Sequence, residues 1–532
     1  MSDETARAAE ATDLLQHLIR NACVNDGSAE SGQEGRSAAV LQSYLEGSGV
    51  DFQLYEPAPG RTSLVAKLTG SDPSAPSLTL LGHTDVVPAT AEDWTHDPFG
   101  GELIDGAVWG RGAIDMLNLT ATMATGLRHL ALAGFRPKGD LTYIAVADEE
   151  ALSRFGTKWL CATAADDVRT DYVITESGGF PMDGTDGKAR LPVLVGEKGV
   201  YWCVLTVRGT PGHASQPLRT DNVLVAAAEV VRRIDAYRPT PDLHEAWTRF
   251  VSGLGLPEEL TGPFLDPDRI DAFCDELPLL GLARQAHACT HTTMAPTVLR
   301  AGSKTNVIPD RVELELDIRT LPGWETGEVR AMLDDVLGDL ADRVEIEFLA
   351  EEPATLSPTD TPLWDDLQRT TERFYPGGRI LPYLSVGATD ARYTRALGAT
   401  SYGFGLHSRA ISFELAREGA IVALFDRDAA MAERYGWVNR ALPSDELWPF
   451  VNRLAARIAS FPPHAVRAAK QAVLRAESDL HTDLVAEAAV FSGTLGNQRA
   501  IDAMAAFMAN GGQTVEGESR LGELAGELAD GL

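Results

Sequence analysis

Four short motifs bearing acidic and imidazole side chains constrain this chain more than anything else in it. LGHTDVVP carries His83 and Asp85, WGRGAIDM carries Asp115, AVADEEA carries Glu149 and Glu150, and ITESGG carries Glu176. Each lies at or just after a run that reads as a buried strand. A strand end, or the loop after it, can present side chains at the carboxyl edge of a sheet, where α/β sites usually lie.

A hard or borderline divalent metal takes imidazole and carboxylate ligands, and zinc binds both at ~2.0–2.2 Å. Two metals ~3.5–4 Å apart need a ligand that bridges them. Asp85 follows His83 by two residues, so extended backbone puts both on one face. There Asp85 can hold the imidazole by a hydrogen bond. Glu149 beside Glu150 offers a free carboxylate next to a ligating one, placed to take a proton from water. Taken singly these signals are weak: a Glu-Glu pair after a strand is usually a solvated end or a helix start favoured by the dipole. The conjunction of four motifs, in order, favours a metal site.

The 532 residues, 44% of them hydrophobic, suffice for two or three domains. A net charge of −31, from 46 basic and 77 acidic residues, argues against nucleic-acid and anionic-membrane partners. The five cysteines lack CxxC spacing, which argues against a disulfide framework or a cysteine-bound zinc. The N-terminus lacks the basic-then-apolar order of a signal peptide, and no run approaches the ~20 apolar residues of a membrane span. A cytoplasmic protein is expected.

Residues 1–50 read as helices. Strand-like SLVAKL, SLTLLGH, LTYIAVAD and DYVITES then alternate with helical stretches, one of them Leu117 to Ala133. This pattern predicts an α/β domain with a largely parallel mixed sheet flanked by helices. After the Gly-rich loop 180–190, residues 196–350 read as an inserted α+β (βαβ) unit, with RVELELDIRTL alternating at period two. Within it, 241–295 reads as an irregular insert whose His287 and His291 are expected to be solvated. Beyond about 416 the chain reads as an appended helical tail, broken at Pro462-Pro463, with Ser444 placed to cap its first helix.

From about 10 to 410 the sequence resembles the zinc aminoacylase and carboxypeptidase-G-like metallohydrolases, the group of acetylornithine deacetylase and succinyl-diaminopimelate desuccinylase. GHTDVVP, WTHDPFGGELIDGAVWGRGAIDM, ADEEALSRFGTKWL, RGTPGHASQP, KTNVIPD, LDIRTLPG, GATDARY and YGFG carry the resemblance. It implies two divalent metal ions, zinc or else cobalt or manganese. His83 and Glu176 would bind one, Glu150 the other, and Asp115 would bridge them. Asp85 would orient His83. Glu149 would be general base and then acid as a metal-bridging hydroxide attacks an amide bond in a peptide or N-acyl amino acid. His213, Asn306 and Arg319 would contact substrate, His213 from a partner chain. The implied organisation is a catalytic domain of 1–195 and 351–415, split by a lid and dimerisation domain at 196–350.

The family's last ligand is a histidine in an HGxDE-like stretch some twenty residues after YGFG. Here no such stretch follows, and His407 and His464 are the alternatives weighed for it. Instead AERYGWVNRALPSDELWPFVNRLAARIASFPPHAVRAAKQAVL resembles the C-terminal helical part of enoyl-CoA hydratase/isomerase (crotonase) proteins, over about 425–530. The crotonase catalytic core is absent, so no hydratase activity is expected. Two readings follow. One is an active metallohydrolase, a homodimer through the lid or a higher oligomer through the 416–532 tail. The other is a degenerate binding or scaffold protein assembled through that tail.

Overall fold

In the main sheet the strand Leu78–His83 lies parallel to both Leu141–Val146 and Tyr172–Thr175. Parallel neighbours need crossovers, and the helix Leu117–Leu132 provides the first. The computed structural model describes residues 3–407, except positions 105, 185 and 278. The tail at 416–532, with its crotonase-like stretch and His464, lies outside the described residues.

Among the described residues the main sheet has ten strands and is mixed. Its order runs Asp51–Ala58, Arg61–Leu68, Leu141–Val146, Leu78–His83, Tyr172–Thr175, Thr400–Gly403, Ala189–Glu197 and Thr355–Leu356. Arg379–Ser385 and Met182–Asp183 pair off the side of Ala189–Glu197. Leu141–Val146 and Ala189–Glu197 are buried along their whole length, and LTYIAV accordingly reads as a continuous apolar run rather than an alternating one. The helix Leu117–Leu132 buries Leu117, Leu119, Ala121, Met123, Ala124 and Leu127, and joins Leu64, Ala66 and Tyr143 in one core. Each fully buried Leu or Met there contributes roughly 1.5–3 kcal/mol.

A second sheet, antiparallel, has the order Thr293–Ala301, Arg311–Thr320, Gly199–Arg208 and Val344–Glu352. Arg311–Thr320 does alternate: Val312, Leu314, Leu316 and Ile318 face a core shared with the helices Val223–Ala236 and Thr326–Leu337.

Residues 241–290 are not irregular. They form four helices, Glu245–Leu254, Glu258–Phe264, Ile270–Glu276 and Leu280–Thr290. Trp247, Phe250, Phe264 and Ile270 pack with Met182 and Leu381 of the main sheet's strands. Prolines and glycines cut this stretch into pieces of 7 to 11 residues, too short to show a clear helical period. His287 and His291 are accordingly not loop residues: the first is in the last helix, the second is its fully buried C-cap. Among the described residues no helix is long and apolar enough to cross a membrane.

The main sheet is closely fitted where two strands end together. A Cβ on Gly403 would sit 1.8 Å from the carbonyl oxygen of Glu176. Gly403→Ala is therefore expected to destabilise the chain by about 1–3 kcal/mol through overpacking. Gly126, in the helix Leu117–Leu132 with open space around it, should do the opposite: Gly126→Ala is expected to stabilise by about 0.5–1 kcal/mol. Urea denaturation of both variants checks the contrast.

Candidate metal centre

The strand register brings the motif residues together. His83 pairs with Val146, so His83 and the Asp148–Glu150 turn leave the sheet at one edge. Leu80 pairs with Ile174, which puts Glu176 at that edge too. Asp115 arrives from just before the crossover helix. The His83 ring is fully buried. Its Nε2 lies 3.1 Å from Asp115 Oδ1 and 3.9 Å from Glu176 Oε2. One ligand atom from each of the three residues falls within 4.8 Å of the others. The other ring nitrogen, Nδ1, sits 2.9 Å from the backbone carbonyl of Asp85. A carbonyl can only accept, so Nδ1 carries a proton and Nε2 faces the carboxylates, ready to bind a cation when it gives up its own proton.

Asp85 reaches His83 mainly through that carbonyl; its carboxylate Oδ1 is 3.5 Å from Nδ1. The carboxylate instead accepts the backbone N–H groups of Glu149 and Glu150, each at 3.2 Å, and the Asn25 side-chain amide at 2.8 Å. Asp85 thus ties the two acidic motifs to each other. Sequence reasoning missed the next layer. Asp148 is left-handed, φ 66°, so the chain turns sharply into the Glu pair. Arg61, wholly buried, holds that turn: Nη2 donates to Asp148 at 2.7 Å while Nε and Nη2 fork onto Glu34 at 2.8 and 2.7 Å. Asp390, from GATDARY, accepts the hydroxyls of Ser153 and Thr157 just beyond the turn. An arginine at a strand start and a glutamate at a helix start carry no local sign of such burial.

The site concentrates negative charge. Burial, then the neighbouring Glu176, pushes the Glu149 carboxyl well above its usual range; burial, then Asp115, does the same to Glu176. Burial pushes Glu150 and Asp390 up to about 7. Asp115, whose side chain is 66% exposed, goes the other way. Desolvation opposes ionisation, but the hydrogen bond and charge of His83 outweigh it and lower its range. His83 itself is driven well above the ordinary histidine value, because Asp115 and Asp85 overcome the effect of burial. One imidazole among this many carboxyls is a donor set that suits divalent cations.

The remaining expected residues lie elsewhere. His213 is exposed, in a two-residue strand paired with Val307, and Ala214 N–H donates to the Asn306 carbonyl at 3.1 Å. His213 and Asn306 are therefore neighbours. Arg319, in the second sheet, is forked onto Asp317 at 2.7 and 3.1 Å. His407 is buried, with its ring pushed down to about 4 by burial, and does not join the His83–Asp115–Glu176 group.

Comparison with known proteins places the chain in a family. The model of Peptidase family M20/M25/M40 matches residues 79–418. The human N-fatty-acyl-amino acid synthase/hydrolase PM20D1 is 30% identical over 63% of this chain and 68% of its own length. Human aminoacylase-1 is 26% identical over 70% of this chain and 82% of its own. A metallo-carboxypeptidase from Sulfolobus solfataricus has the same fold, with a TM-score of 0.58 at 16% identity over 76% of this chain and 91% of that one. The chain belongs to this peptidase family.

The raised carboxyls give a signed pH effect. With its folded value near 7, Glu150 contributes stability that is complete below about 4.5 and is lost as pH rises through 7. In chelator, the stability of Glu150→Gln relative to the parent is therefore expected to grow between pH 4.5 and 8. A difference independent of pH, in urea melts across that range, would contradict the burial argument.

Proposed function

We propose that this member of the peptidase family hydrolyses the amide bond of N-acyl amino acids or short peptides at the His83 centre. The observation that carries the reading is the convergence of one imidazole and a set of carboxylates at a single sheet edge, with the half-buried Glu149 carboxyl alongside. His83, Asp115, Glu150 and Glu176 are the residues that would hold two divalent cations, zinc by their chemistry, with Asp115 shared. Such cations supply Lewis acidity and make water a nucleophile at neutral pH.

Glu149 is the proton carrier. It sits beside the ligands, tied down by its own N–H to Asp85, and is desolvated enough to keep a proton it has taken. It takes a proton from water as the oxygen adds to the scissile carbonyl, and returns it to the departing amine nitrogen. Asp85 keeps Glu149 and Glu150 in register with His83. In this reading residues 196–350 act as the lid, and His213, with Asn306 beside it, meets substrate from a partner chain. Its exposure in the single chain fits that use. Arg319 would have to exchange Asp317 for a substrate carboxylate.

A second reading has its own support. The sequence has no HGxDE stretch after YGFG, and His407 stays out of the cluster. A centre short of one ligand could persist as a binding scaffold with little turnover. The two readings separate cleanly. Glu149→Gln is expected to lower turnover of N-acyl amino acids or dipeptides by about 10²–10⁴-fold while metal content stays unchanged. A parent chain with no turnover across such a panel would leave the scaffold reading standing.

A further inference from the structure

Outside the His83 centre, among the described residues one other group of side chains meets the geometry of a cation site: Asp271, His287 and His291. His287 and His291 are four residues apart on and just past the helix Leu280–Thr290. That spacing puts two imidazoles on one face, as helical metal sites require. Their rings stack at 4.1 Å and 8°. Asp271 reaches the same point from the helix Ile270–Glu276, and one ligand atom from each residue lies within 4.8 Å of the others.

The protonation pattern of His291 sharpens the case. Its Nδ1 is 2.9 Å from the His287 carbonyl, an acceptor, so Nδ1 is the ring's donor. That leaves a lone pair on Nε2. Nε2 is buried without a hydrogen-bond partner, yet faces Asp271 Oδ1 at 3.0 Å. Two electron-rich atoms at that distance need a positive charge between them.

We infer that Asp271, His287 and His291 form a second zinc site, distinct from the His83 centre, which braces the junction between the two sheets. Two imidazoles and one carboxylate are a common zinc donor set, and the fourth position is left for water. Asp271 is 51% exposed, which gives the ion a route in. The site's location gives it a role. His291 leads into the edge strand of the second sheet, while its helix packs in the core that contains Met182 and Leu381 of the main sheet's strands. The backbone carbonyls of Ala288 and His291 accept from buried Lys198 at 2.9 and 2.6 Å. Lys198 is the residue between Ala189–Glu197 of the main sheet and Gly199–Arg208 of the second. Zinc at this point would fix two crossings between the sheets against each other.

The test uses the full chain with the first centre disabled by His83→Ala and Asp115→Ala. That protein is expected to bind one zinc per chain by calorimetry, and zinc should raise its Tm. Adding Asp271→Asn, whose half-exposed side chain holds no core together, should weaken that binding by at least about tenfold and abolish the rise in Tm. His287→Gln should do the same. If the disabled parent does not fold, the comparison is zinc content of the unmodified chain against Asp271→Asn alone, with one zinc fewer expected. Equal zinc content with and without Asp271, or no zinc bound by a folded first-centre variant, would overturn the proposal.

Discussion

Buried carboxylates must be answered by donors or by positive charge, and how each one is answered organises this molecule. Asp85 is answered by His83 first, then by Asn25 and a backbone N–H, so burial fails to neutralise it and its carboxyl is held below the usual range. Glu34 and Asp148 are answered by Arg61, with all three side chains fully buried. Breaking such a triad costs about 3–5 kcal/mol, because it strands the remaining charges. Glu149, Glu150 and Glu176 share His83 as a positive neighbour, and its charge does not offset their burial. Their raised carboxyls mark the place where the fold leaves negative charge uncompensated, and where a divalent cation is most strongly drawn.

The sheet explains why these groups meet. Three adjacent parallel strands end together, so every loop that leaves them starts from one edge. Helical crossovers bury the apolar faces and leave the polar ends free. The same edge is closely fitted: Gly403 lies against the Glu176 carbonyl, and Gly156 against that of Ala147. A site assembled from separate loops stays precise because the strands beneath it leave no room for adjustment.

Much of this was legible in the chain. The strands ending at His83, Val146 and Thr175 are continuous apolar runs, and the acidic motifs follow them directly, so both the α/β class and the cluster could be read. Positions whose roles depend on partners distant in sequence could not. Arg61 reads as a charged strand end, and only the fold brings Glu34 and Asp148 to it. Asp85 sits where a ligand-orienting carboxylate belongs, yet its carboxylate is spent mainly on the Glu149–Glu150 turn. His287 and His291 read as solvated because Pro and Gly fragment the helices around them, while the packing of Trp247 and Phe250 buries the region.

The His83 cluster is expected to bind divalent cation although no HGxDE stretch follows YGFG in the sequence. Anomalous X-ray diffraction at the zinc edge, from crystals of the full chain grown with zinc, addresses it directly. Density is expected between His83 Nε2, Asp115 and Glu176, with a second peak toward Glu150. Zinc-replete crystals with no anomalous peak at that sheet edge would contradict it.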